Sequence, residues 1–73
     1  MQSVYIYEQD FYNIESEYEL KNKLYSLGVP FKNPITLELD DKFEYFRETV
    51  DGKDIGSHQD PLSRWVKFSW VMK

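Results

Sequence analysis

The chain has 73 residues with no cysteine; 41% are hydrophobic, 18% aromatic and 30% charged, and 13 acidic against 9 basic residues leave a net charge of −4. That composition excludes a disulfide framework, a cysteine-based zinc site and thiol chemistry, and it allows one domain, 1–73, whose single core supplies only about 3–5 kcal/mol. The acidic balance disfavours nonspecific binding to DNA or to an anionic membrane and suits a partner with a basic surface.

Residues 2–8, QSVYIYE, alternate Val4, Ile6 and Glu8 against Ser3, Tyr5 and Tyr7, and their β-branched and aromatic side chains predict a strand. Residues 9–14 read as a loop. Ser16-Glu17-Tyr18-Glu19 then spells a capping box, in which Ser16 accepts from the Glu19 amide and Glu19 reaches back, so a helix is expected from Glu17. Leu20, Leu24 and Leu27 form its apolar stripe, and Glu17/Lys21 and Glu19/Lys23 are favourable i,i+4 pairs on its wet side. Gly28, Val29 and Pro30 end the helix: a left-handed glycine, an apolar residue to fold back, and a proline that cannot continue.

After Pro34, the alternation of Ile35, Leu37 and Leu39 with Thr36, Glu38 and Asp40 predicts a strand with one buried face. Asp40-Asp41-Lys42 reads as a turn. Residues 43–50, FEYFRETV, fit two templates. As a helix, Phe43, Phe46 and Val50 share a face; as a strand, Phe43, Tyr45, Arg47 and Thr49 oppose Glu44, Phe46, Glu48 and Val50. Aromatic and β-branched content favours the strand. The polar stretch 51–61 reads as a mobile loop, with Asp60-Pro61-Leu62 as a cap for a short helical turn. In the closing segment RWVKFSWVMK, the row Val66, Phe68, Trp70 and Met72 marks a strand with a core face. The expected fold class is α+β: one helix packed on a small, mainly antiparallel sheet in the order β-α-β-β-β, with the sheet's other face uncovered.

Catalytic chemistry finds little support. The single histidine, His58, lies in a polar loop with no cysteine to share a metal and no nucleophile-elbow pattern to serve, and the glycines at 28, 52 and 56 are too scattered to cradle phosphate. We therefore expect a non-enzymatic chain with no cofactor and no metal. The carboxylates Glu38, Asp40, Glu44, Glu48 and Asp51 gather on or beside one expected hairpin. There they either guard a strand edge against aggregation or contribute to an acidic surface that imitates a phosphate backbone.

The aromatic surplus points further. With Val4, Ile6, Leu20, Leu24, Leu27, Ile35, Leu37, Leu39, Val66, Phe68 and Trp70 assigned to the helix side, Tyr5, Tyr7 and Trp65, with some of Phe43 and Tyr45, fall on the uncovered face. Tyrosine and tryptophan dominate binding hot spots, although strands favour aromatics for their own stability and a homodimer would also cover them. The expected partner-binding residues are Tyr5, Tyr7, Trp65 and Lys67, with Glu38, Asp40, Glu44 and Glu48 as the acidic set.

The run SLGVPFK, residues 26–32, resembles a segment of the immunity proteins that neutralise ribonuclease colicins, small acidic antiparallel-sheet proteins that inhibit a basic toxin. The resemblance carries over no functional residue; this chain departs from that family in its shorter length, its missing cysteine and its milder acidity. It implies only that an inhibitor of this size and charge is a reasonable object.

The leading expectation is a small acidic protein that binds and inhibits a larger protein with a basic surface, of phage or immunity type, such as a nucleic-acid-acting or defence enzyme. The absence of alanine and the abundance of Tyr, Phe and Lys fit an AT-rich source. Two alternatives use the same face. One is a single-stranded nucleic-acid platform built from the aromatics with Arg64, Lys67 and Arg47; the other is an assembly subunit that homo-oligomerises, as a homodimer for example. The N-terminus lacks the pattern of a signal peptide, and no run approaches the ~18 apolar residues of a membrane span, so a cytoplasmic location is expected.

Overall fold

A computed structural model of the chain describes residues 1–56 and 62–73. In chain order it contains strand β1 (Gln2–Tyr7), a one-turn helix α1 (Glu8–Tyr12), helix α2 (Glu17–Ser26), strand β2 (Phe43–Asp51), a 3-10 turn (Gly52–Ile55) and strand β3 (Arg64–Met72). The fold is α+β: one main helix and a three-stranded antiparallel sheet. β3 is central, with β1 and β2 on its two sides.

The ends of α2 form as the local sequence dictates. The Glu19 amide donates to Ser16 Oγ at 3.1 Å, and the Glu19 carboxylate accepts from the amide of Glu15 at 3.3 Å. Of the two i,i+4 pairs, Glu17–Lys21 closes at 3.5 Å, while Glu19 is turned back to the helix start. At the other end Gly28 takes φ +105°, its amide donates to Tyr25 O and the Val29 amide to Leu24 O. This is a Schellman closure, and its apolar clasp is the buried pair Leu24 and Val29.

Residues 35–39 do not form the expected strand. Asn33 Oδ1 accepts from the amides of Ile35 and Thr36, the Leu37 amide donates to Asn33 O, and the Lys32 amide donates to Glu38 O. The side-chain amide thus folds the chain into a tight loop closed by a single bridge between Asn33 and Glu38. Leu37 sits at φ +55°, a conformation that is costly for a branched side chain, and it is completely buried. Ile35 and Leu39, assigned above to the core, are exposed, as is Leu27. The alternation is present without a strand because Asn33 Oδ1 takes the amides of Ile35 and Thr36.

The loop is held to the sheet by Tyr45. Its hydroxyl donates to Pro30 O at 2.8 Å and accepts from the Asp40 amide at 3.2 Å. Phe31 packs beside Tyr25 and against the core, so 31–33, for which the sequence offers no folding reason, each have one. The turn at Asp40 forms, with the Lys42 amide on Asp40 Oδ1 and the Phe43 amide on Asp40 O.

Two further segments differ from expectation. The loop over 9–14 contains α1, whose Phe11 packs on Phe68, and the polar stretch after Asp51 begins with the 3-10 turn, ended by Gly56 at φ +82°. His58 and the Asp60-Pro61 cap lie outside the described residues. The core between helices and sheet is small: Ile6, Leu24, Val29 and Trp70 are buried together, with Val4, Phe11, Leu20, Phe31, Phe43, Tyr45 and Phe68 packed around them.

Candidate functional site, the outer sheet face

Strand pairing decides which side chains share a face. Tyr5 lies opposite Lys67, and Lys67 opposite Glu48; Tyr7 lies opposite Trp65, and Trp65 opposite Val50; Ser3 lies opposite Ser69, and Ser69 opposite Phe46. Because side chains alternate along a strand, these residues, with Glu44 and Val71 at one end, form a single surface. Phe68, Trp70, Ile6, Tyr45 and Arg47 point the other way, toward α1 and α2. Among the described residues, both α-helices pack on that second side.

The outer face is therefore made of rings and aliphatic groups around a polar centre. Tyr7 and Trp65 meet edge to face, with centroids 5.4 Å apart at 62°. Lys67 Nζ stands 3.6 Å from Glu48 Oε1, its stem lying beside Tyr5, and Ser3 and Ser69 share a 3.0 Å hydrogen bond. Phe46 is 42% exposed. The indole N–H of Trp65 is buried and has no acceptor among the described residues. Such a donor is costly when left alone, and it is the one buried side-chain polar atom without a partner among the described residues.

Of the residues read from the sequence as partner-binding, Tyr5, Tyr7, Trp65, Lys67, Glu44 and Glu48 come together here. Glu38 and Asp40 do not. They lie in the loop that Tyr45 staples on the helix side, and Asp40 spends a carboxylate oxygen on the Lys42 amide. With no strand at 35–39, the expected hairpin is missing and its carboxylates do not line up in a row. Phe43 and Tyr45 face the core, 6.3 Å apart, and their place on the outer face is taken by Phe46, Val50 and Val71. The alternation of 43–50 contained that answer, but only the register with β3 says which set faces out.

The cations of the nucleic-acid alternative are scattered. Lys67 is paired with Glu48, Arg64 is paired with Glu8 at 3.3 Å, and Arg47 lies on the opposite side of the sheet over the Phe11 ring. Among the described residues no group of three or more histidines, cysteines or carboxylates could hold a metal, and no helix is long and apolar enough to cross a membrane. No family model, no curated protein and no solved structure matches this chain.

Proposed function

We propose that this chain is a non-enzymatic binding protein of the cytoplasm that docks its outer sheet face on a larger protein with a basic surface and inhibits it by occupying that surface. The observation that carries the reading is the face itself, in which Tyr5, Tyr7, Trp65, Phe46 and Val50 are gathered on one side of the sheet while both helices lie on the other. Aromatic anchors surrounded by a polar rim are the usual anatomy of a protein interface. Among the described residues Glu44 carries no ion pair, and the Glu48 side chain is 62% exposed beside Lys67, so the β2 side of the face offers negative charge to a cationic partner.

The test is affinity capture from the source cell or its host with three baits: the native chain, the double variant Tyr5→Ser/Tyr7→Ser, and the charge reversal Glu44→Lys/Glu48→Lys. The reading predicts one dominant basic protein on the native bait, lost with the first variant and reduced with the second. Titration with single-stranded DNA and RNA at low salt is the counter-test. Salt-sensitive binding that quenches tryptophan fluorescence overturns the inhibitor reading in favour of the nucleic-acid platform.

A further inference from the structure

The inner side of the sheet is not fully covered. A cleft of about 290 Å³ runs between α2 and β2, near the lower end of the roughly 300–1,000 Å³ range of small-molecule pockets. It is lined by Leu20 and Leu24 of α2, by Val29 and Phe31 just after it, and by Tyr45 and Trp70 of the sheet. These walls offer a guest little to hydrogen-bond, because the Tyr45 hydroxyl is already committed to Pro30 O and the Asp40 amide.

The charges sit at one end, where Glu17, Lys21 and Arg47 border the opening. Glu17 and Lys21 neutralise each other at 3.5 Å. Arg47 does not share in that pair. The ion pairs of the described residues are Glu17–Lys21, Glu8–Arg64 and Glu48–Lys67, and Arg47 instead rests over the Phe11 ring at 5.7 Å. Its register opposite Phe68 puts it on the helix side, away from the outer face, where it borders both this cleft and the neighbouring hollow lined by Phe11, Glu15 and Glu17. An apolar cleft with one unpaired guanidinium at its mouth is complementary to a molecule with an apolar tail and a single planar anion. The rigid guanidinium fork matches a carboxylate in two parallel hydrogen bonds.

We propose that this cleft binds a medium-chain aliphatic monocarboxylate, with the tail lying between α2 and the sheet and the carboxylate held by Arg47. The lining of the cleft reaches Phe46 and Ser69 of the sheet but none of Tyr5, Tyr7 and Trp65, which a guest leaves untouched. Its occupation joins α2, the 29–39 loop and β2, so it also stabilises the fold by linkage.

The test uses sodium decanoate below its micelle concentration, with 1-decanol and decylammonium as head-group controls, read by amide chemical shifts and by calorimetry. Saturable shifts at Leu24, Val29, Phe31 and Trp70 are expected, and decanoate is expected to bind about tenfold tighter than either control, the size of one charge-assisted contact. Arg47→Gln, confirmed as folded by circular dichroism, is expected to erase that preference while leaving tail binding, and Arg47→Lys to restore part of it. The proposal is overturned by the absence of saturable shifts, by equal affinity for the three head groups, by a preference that survives Arg47→Gln, or by shifts confined to the outer face. Tighter binding of an apolar peptide ending in a free carboxylate also overturns it, since the cleft would then be a peptide site.

Discussion

Replacing Tyr45 by phenylalanine removes one oxygen atom and tests how the 29–42 segment is fastened. That hydroxyl donates to Pro30 O at 2.8 Å and accepts from the Asp40 amide at 3.2 Å, both partly buried, so the substitution leaves one carbonyl and one amide unpaired while the ring remains on Phe43. At about 1 kcal/mol net for each bond, the expected loss is roughly 2 kcal/mol, a large share of the ~3–5 kcal/mol a core of this size supplies. In urea, at a slope of about 1 kcal/mol per M, the midpoint should fall by about 2 M with no change in slope. By thermal unfolding the midpoint should fall by roughly 8–16 °C. Tyr25→Phe is the matched control, because Tyr25 is 47% exposed and contributes a ring contact with Phe31 but, among the described residues, no hydroxyl bond. A midpoint shift under about 0.5 M for Tyr45→Phe, or one equal to that of Tyr25→Phe, refutes the view that a single hydroxyl fastens the loop to the sheet.

Leu37→Ala should cost about 2–5 kcal/mol, because the residue is fully buried and the alanine Cβ keeps the strain of φ +55°; loss of a cooperative urea transition reads this. Gly28→Ala meets no atom within 4 Å of the added carbon, so its expected cost of about 1–2 kcal/mol comes from the φ of +105° alone, and a neutral result in urea unfolding contradicts the closure described for α2. Ser16→Ala removes the acceptor for the Glu19 amide and should cost about 1 kcal/mol, seen as reduced hydrogen-exchange protection in the first turn of α2.

Both ends of α2 were legible because each is set by residues adjacent in the chain. Ser16 and Glu19 make the start, and Gly28, Val29 and Pro30 make the stop, whatever the rest of the molecule does. The segment 35–39 was not legible. Its alternation has the period of a strand, but the deciding atom is Oδ1 of Asn33, which competes with the sheet for the same amides, and the deciding contact is the burial of Leu37 under a loop fastened 15 residues away by Tyr45. α1 is a single turn with no room for periodicity, so a sequence pattern had nothing to register there.

The candidate site divides in the same way. Tyr5, Tyr7, Trp65 and Lys67 follow from the alternation of two strongly patterned strands, and the structure brings them onto one face. Phe46, Val50 and Val71 needed the pairing of β2 with β3, a long-range fact. Glu38 and Asp40 were grouped with that face through a hairpin that does not form, and the cleft beside Arg47 depends on how far α2 stands from the sheet, which no local pattern encodes.

The most direct test of the account is to map the captured partner onto the isotope-labelled chain by cross-saturation in the complex. The account predicts attenuation at Tyr5, Tyr7, Phe46, Trp65 and Lys67, with α2 and the 29–39 loop unaffected. Attenuation centred on Tyr18, Tyr25 and Leu39, with the outer face silent, contradicts it.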